Sequence, residues 1–319
     1  MEQISVEIIQ KCPNQCLHCS SFAGPNCREI IPLNKLKEII EGASYLETAV
    51  LSISGGEPFL HEDLVEAVRF AKNKHLKVYI YTSGIVLDKQ DEPVSLSRDI
   101  LEALYALGTD KLIFDLPAID EDIYNAFMGT HGRLKYVLKS IECAKKIGFC
   151  VEIHFVPTKI NVGQIDKIVS YAEQSRLDLI SFLGLIPHGR AKANIDKLYI
   201  NTKENIDLKK RLSKLCSEHV RIGIPLQMEA ENYKCYAGIG KLCVRYDGRV
   251  FGCEAFKYIT LYDENNEAIV PDSIYERRIE DIYFESKYLN AEKEFIKTSM
   301  ECGNCSEKCP IQRMFRKVG

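Results

Sequence analysis

Three cysteines stand close together near the start of the chain, Cys12, Cys16 and Cys19, in a loop that also carries Pro13 and Asn14. A loop of that kind can fold three thiolates round one face of a metal cluster. A four-iron cluster has four irons, so three protein thiolates leave one iron open to a ligand that is not protein. The alternatives are a zinc site completed by His18 or a distant ligand, or three buried cysteines. Zinc sites usually show a second ligand pair at short range, and none follows before Cys27. A second turn with chemical content is Ser54-Gly55-Gly56-Glu57-Pro58, in which Gly55 lies 36 residues beyond Cys19. Paired glycines let a backbone approach a ligand closely, and a carboxylate is a suitable acceptor for an ammonium group.

A second set of cysteines falls in the last quarter: Cys235, Cys253, Cys302 and Cys305, with Cys309 just beyond. Between the first two runs Val244-Arg245-Tyr246-Asp247-Gly248-Arg249-Val250-Phe251. An Asp-Gly pair between apolar runs is a strong hairpin signal, with glycine supplying the positive φ of the turn, and such a hairpin would fix two thiols in space. Cys302-Gly-Asn-Cys305 reads as a short turn with Cys309 close behind, and Cys243 on the hairpin is able to point inward. Two cysteine pairs also suit a structural zinc ribbon. Cys27, Cys143, Cys150 and Cys216 read as small buried apolar residues.

The elements that must carry these residues alternate in βαβα order up to about residue 200. Strand patterns cover Ile4 to Ile9, Ala49 to Ser54, Leu76 to Tyr81, Lys111 to Asp115, Cys150 to Val156 and Leu179 to Gly184. Helical patterns lie at Leu33 to Glu41, Asp63 to Lys72, Leu96 to Ala106, Leu134 to Ile147 and Val162 to Gln174. Gly, Pro and Ser clusters close several strands at the same end of each unit. This order predicts an α/β chain whose parallel sheet curls, by right-handed crossovers, into a partial (β/α)6 barrel with ligands at the carboxyl ends of its strands. A helical segment at Lys203 to Glu218 leads into a region richer in Cys, Tyr and Gly, without long helical pattern until Ser286 to Ser299. The expected division is a core at 1–200, a connection at 201–229 and a small C-terminal region at 230–319.

The bulk properties narrow the setting. With 319 residues, 46% of them apolar, the chain can bury a large core. The net charge of -3 is spread through both halves without a basic block, which argues against nucleic acid as partner. No apolar run is long enough to span a bilayer, and Met1 to Ile9 has no signal-peptide character. The expectation is a cytoplasmic protein without a membrane partner. In that compartment thirteen cysteines point to metal or chemistry rather than disulfides.

Cys12-Pro-Asn-Gln-Cys16-Leu-His-Cys19 resembles the C-x3-C-x-φ-C signature of the radical S-adenosylmethionine (SAM) superfamily, with His18 at the φ position. The resemblance implies a [4Fe-4S] cluster on the three cysteines whose open iron chelates SAM. It also implies reductive cleavage of SAM to a 5'-deoxyadenosyl radical that takes a hydrogen atom from substrate. Gly55, Gly56, Glu57 and Pro58 resemble the family's GGEP motif, which binds the SAM amino group. Thr82-Ser83-Gly84 resembles its third-strand turn near the ribose and methionine, and Pro187-His188-Gly189-Arg190 a sixth-strand P-x-G-R segment. At the fourth strand Asp115-Leu116-Pro117-Ala118 replaces Ser-Leu-Asp-Gly, and Met128 stands where many relatives carry Arg before Gly. Asp115 is kept as a cofactor contact, and Arg133 or Lys159 would supply a cation for the SAM carboxylate.

The spacing from Cys235 through Gly248 to Cys253 resembles the opening of the SPASM and twitch auxiliary-cluster domains of this superfamily. The close is too short for two clusters, so the resemblance implies one auxiliary [4Fe-4S] cluster on Cys235, Cys253, Cys302 and Cys305 or Cys309. Glu254 follows Cys253, where an acidic residue serves as base in sulfatase-maturating relatives; a solvated or capping role is the alternative. Peptide modification, by crosslinking or side-chain oxidation, is the first functional expectation, although no segment reads as a domain for grasping a leader peptide. Dehydrogenation of a small-molecule alcohol or amino sugar is the second, and an iron-sulfur electron carrier the third. An enzyme of this kind needs an electron donor such as flavodoxin or ferredoxin.

Overall fold

The computed structural model describes residues 1–228, 234–301 and 309–312. Six parallel strands form the centre of one sheet: β1 (Gln3–Glu7), β2 (Val50–Ser54), β3 (Lys77–Thr82), β4 (Lys111–Asp115), β5 (Val151–Phe155) and β6 (Leu179–Phe182). Each pairs in parallel with the next, so spatial order follows chain order without a reversal. Right-handed crossovers then put every connecting helix on one face, which is the layout of a partial barrel rather than a doubly wound sheet. The helices are α1 (Leu33–Tyr45), α2 (Leu64–Asn73), α3 (Arg98–Ala106), α4 (Glu121–Met128), α5 (Leu134–Ile147) and α6 (Ile165–Gln174).

The strands end earlier than the apolar runs suggest. Hydrophobicity continues through Ile8 and Ile9, but there the chain turns off to bridge Ile30 and to accept hydrogen bonds from Ile31 and Gly56. Likewise β6 stops at Phe182, because Leu183 to Gly189 lead away toward the C-terminal region. The sequence reading missed α4, although its signals are present. Asp120 accepts the Ile123 N–H at 3.3 Å as N-cap, acidic residues fill the first turn, and Gly129 takes φ 63° at the C-cap.

Three further strands widen the sheet. After α7 (Thr202–Ser213), started by an Asn201/Glu204 capping box, β7 (Val220–Ile222) pairs with β6. On the opposite side β8 (Lys241–Val244) pairs in parallel with β1, and β9 (Val250–Phe251) folds back on β8 through the Asp247-Gly248 turn, Gly248 at φ 82°. The C-terminal region therefore continues the core sheet. Its longer described helices are α8 (Ile279–Glu285) and α9 (Lys287–Glu301). A small second apolar cluster gathers there around Phe251, Phe256, Tyr288, Ile296 and Ile311.

Alternation along the strands decides what lines the barrel. Ile4, Val6, Leu51, Ile53, Val78, Ile80, Leu112, Phe114, Ile153, Phe155, Ile180 and Phe182 belong to one core with the helices. Successive side chains point to opposite faces, so Ser5, Glu7, Ser52, Tyr81, Lys111, Asp115, Glu152, His154 and Ser181 line the other face. Their mutual contacts place them together: Gln3 Nε2 donates to Ser52 Oγ at 2.6 Å, Lys111 Nζ to Glu152 at 2.8 Å, and the Tyr81 and His154 rings lie 5.3 Å apart. The lumen is polar, whereas a closed (β/α)8 barrel fills this space with branched apolar side chains.

Candidate active site

Cys12, Cys16 and Cys19 follow the carboxyl end of β1. Cys12 and Cys16 are buried, Cys19 is half-buried, and none is in a disulfide. Burial pushes the Cys12 and Cys16 thiols up, and each thiol lies within electrostatic reach of the other two. The loop is held from three directions. The last carbonyls of α4, Phe127 and Met128, accept the N–H groups of Leu17 and Gln15 at 2.9 and 3.2 Å. Arg133 donates from Nη1 to the Pro13 carbonyl and to Asn14 Oδ1, which engages a cation suggested earlier for the SAM carboxylate. Arg190 donates its backbone N–H to the Cys19 carbonyl and its Nε to the Cys16 carbonyl, both at 2.9 Å.

The Gly55-Gly56-Glu57-Pro58 turn locks against the same loop. A Cβ on Gly56 would come within 2.1 Å of the Lys11 carbonyl oxygen, and one on Gly55 within 2.3 Å of that of Ile9. The close approach that requires glycine here is to the chain's own backbone. Glu57 N–H donates to the Lys11 carbonyl at 2.9 Å. The fully buried Glu57 carboxylate accepts from Phe59 N–H and Thr82 Oγ1 on one oxygen, and from Ser83 N–H and Ser83 Oγ on the other, at 2.6–3.2 Å. Burial, offset in part by the Ser83 and Thr82 bonds, pushes its pKa up to about 7. Glu57 thus ties Ser83 at the end of β3 to the loop of the three cysteines.

His18 stacks on Phe127 with ring centroids 4.6 Å apart, and its Nε2 lies 3.4 Å from Asp115 Oδ2 at the end of β4. Cys16 Sγ, His18 and Asp115 bring one ligand atom each within 4.8 Å of one another. His18 Nδ1 is buried without a partner among the described residues. Lys159, the other cation suggested for the SAM carboxylate, is exposed and lines a cleft beyond β5.

Glu254 reaches the lumen from the C-terminal region, where Ser5 Oγ donates to its Oε1 at 2.6 Å. Burial and the Glu254 charge push Tyr81 up to about 12, so Tyr81 stays a neutral donor beside it. Two more residues prove central, Lys257, which no sequence motif marks, and His188, the variable position of the P-x-G-R segment. Lys257, 2% exposed, donates to Glu7 Oε1 at 2.5 Å, Ser21 Oγ at 2.6 Å and Ser20 Oγ at 3.2 Å, just past Cys19. His188 Nε2 lies 2.6 Å from the Ala255 carbonyl oxygen, so the P-x-G-R segment touches both the cysteine loop and the C-terminal region.

Cys235, Cys253 and Cys309 pack on the second apolar cluster, and burial, with the Glu254 charge beside it, pushes the Cys253 thiol up, Cys309 lying within electrostatic reach. Cys302 and Cys305 lie outside the described residues. Cys243 is fully buried on β8, beside Ser5, Glu254 and Lys257. No helix among the described residues is long and apolar enough to cross a membrane.

A soft donor set of three thiols on one loop suits an iron-sulfur cluster. Comparison with known proteins agrees. The chain is 24% identical over 280 residues to the AdoMet-dependent heme synthase of Methanosarcina barkeri, covering 78% of this chain and 76% of that protein. It is 25% identical over 285 residues to a probable GTP 3',8-cyclase of Sulfurisphaera tokodaii, covering 85% of each. Among solved structures, SuiB of Streptococcus suis bound to S-adenosylmethionine superposes with a TM-score of 0.72 at 17% identity, over 97% of this chain and 75% of that one. SuiB has also been solved bound to its precursor peptide, SuiA. The family model described as the Radical SAM superfamily matches residues 6–172, just over half the chain, a span that holds the end of β1, the cysteine loop, the glycine turn and β2 to β5. The chain therefore belongs to the radical SAM superfamily and is an enzyme of that kind.

Proposed function

We propose that this enzyme modifies a ribosomally made peptide by hydrogen-atom abstraction, with Cys12, Cys16 and Cys19 holding a [4Fe-4S] cluster that binds SAM. When bound, that pair supplies the 5'-deoxyadenosyl radical by one-electron reductive cleavage of SAM. The observation that carries the reading is that the three-cysteine loop opens onto a polar lumen that Glu254 enters from beside Cys253. Arg190, Arg133 and the α4 carbonyls hold the loop still, and the Gly55-Gly56 contact fixes its distance from β2 and β3. The residues assigned to SAM are His18, Ser83, Asp115, Glu57 and the backbone at Gly55, Gly56 and Pro58. Glu254 is the base that takes a substrate proton, oriented by the Ser5 hydroxyl. Cys235, Cys253, Cys302 and either Cys305 or Cys309 hold one auxiliary [4Fe-4S] cluster within 230–319, a twitch-like arrangement that receives an electron from substrate. A flavodoxin or ferredoxin supplies the reducing electron. The SuiB fold, known with a precursor peptide, favours the peptide reading.

A second reading is a small-molecule substrate, such as an alcohol or amino sugar that is dehydrogenated; the two relatives aligned over most of the chain favour a small molecule over a peptide, since their names give heme and GTP. The shared chemistry is tested by replacing Cys12, Cys16 and Cys19 together with Ala. The variant, reconstituted anaerobically, should form no 5'-deoxyadenosine from SAM and dithionite while keeping about four irons at the auxiliary site. Continued SAM cleavage would remove the N-terminal assignment. One zinc and no iron would remove the auxiliary cluster.

A further inference from the structure

A cleft of about 1290 Å³ opens at the carboxyl ends of β5 and β6, walled on its far side by the segment 195–208. Its position relates it to both groups of cysteines. Gly189 lines it, and a Cβ on Gly189 would meet the Cys19 carbonyl oxygen at 2.6 Å, so one backbone layer separates the cleft from the N-terminal loop. On the other side Tyr258, Ile259 and Gln312 line it, and Ile259 packs in the same apolar cluster as Cys253 and Cys309. Phe22, three residues past Cys19 and 47% exposed, lines it too and meets the Tyr258 ring edge-on at 5.8 Å.

The lining specifies an occupant. Leu185, Pro187, Leu198, Leu208 and Leu226 make its walls apolar, while Tyr199 and Asn205 offer hydrogen-bonding groups suited to peptide units. Two cations, Lys159 and Lys192, line it against a single carboxylate, Asp196. No ion pair involves either lysine among the described residues, in a chain whose net charge is -3. The volume exceeds the roughly 300–1,000 Å³ typical of small-molecule pockets. Apolar walls, spare hydrogen-bonding groups and excess positive charge in a cleft of this length scale are complementary to a peptide with acidic and apolar side chains.

We infer that this cleft receives the substrate peptide, an extended segment whose Asp or Glu side chains pair with Lys159 and Lys192 while its apolar side chains lie against the Leu185 and Leu198 wall. The inference rests on the peptide reading above and specifies the substrate class. An mRNA-displayed library of random twelve-residue peptides, selected anaerobically on the reconstituted wild-type protein and on the Lys159→Gln/Lys192→Gln variant, tests it. Both lysines are exposed, and matching thermal unfolding of the two proteins checks the fold. Peptides recovered on wild type should be enriched in Asp and Glu beside apolar residues, and their recovery should fall about tenfold on the variant, as two partly exposed ion pairs allow. Absence of enriched peptides, enrichment without an acidic bias, or equal recovery on both proteins would overturn it. SAM cleavage by the same wild-type preparation is scored separately, so loss of this inference leaves the radical SAM chemistry standing and the reverse is also visible.

Discussion

At the scale of single residues, Glu57 shows how a motif position does two jobs. Its carboxylate oxygens each accept one backbone N–H and one hydroxyl, from Phe59, Thr82 and Ser83. In Glu57→Gln the new NH2 group must face a donor N–H, leaving a buried donor unpaired. The unfolding free energy should fall by about 1–3 kcal/mol in chemical denaturation, and SAM affinity by titration should fall with it. The wild-type carboxyl also carries a pH signature. Because burial pushes its folded pKa up to about 7, above the unfolded value of 4.5, the folded state holds this proton over a range in which the unfolded chain has lost it. This group's contribution to stability is therefore full below about pH 4.5 and is lost as the pH rises through 7. Thermal midpoints of wild type and Glu57→Gln across pH 5 to 8 should show that slope in the first and not in the second.

At the scale of elements, the active loop is positioned by pieces far apart in the chain. The β2–α2 turn presses its glycines on residues 9–11, α4 gives up its last carbonyls to Gln15 and Leu17, and the segment after β6 supplies Arg190. Gly56→Ala tests this packing without removing any donor or acceptor. Its Cβ would sit 2.1 Å from the Lys11 carbonyl oxygen and 2.4 Å from that of Gln10, both backbone atoms that cannot rotate away. The loop must shift, at a cost of at least about 1–3 kcal/mol. Iron bound at the N-terminal site after reconstitution should fall while the auxiliary iron stays. Unchanged iron content would show that the loop tolerates the displacement. The spacing Gly-Gly-Glu-Pro after a strand was legible in the sequence; that its glycines answer to the cysteine loop's own backbone was not.

At the scale of the whole molecule, the C-terminal region is welded to the core by sheet pairing of β8 with β1 and by the buried Lys257–Glu7 pair, which reaches Ser20 and Ser21 beside Cys19. Lys257→Met would leave Glu7 buried and charged without its partner, costing about 3–5 kcal/mol. Adding Glu7→Gln should recover part of that loss. A double-mutant cycle in denaturant measures the coupling, and additive losses would show that the pair does not join the two regions. What the sequence by itself determined was everything carried by short-range pattern: the three-cysteine loop, the glycine turn, the six-strand βαβ order and the Asp247-Gly248 hairpin. Each depends on neighbours within a few residues, so periodicity and spacing expose it. Only the tertiary structure decided that the inner strand face is a polar lumen, because alternation shows two faces but not which one the helices cover. It alone brought Arg190 to Cys16 across 174 residues and Lys257 to Glu7 across 250. No local rule encodes such contacts, since they arise when the sheet curls and its carboxyl ends converge.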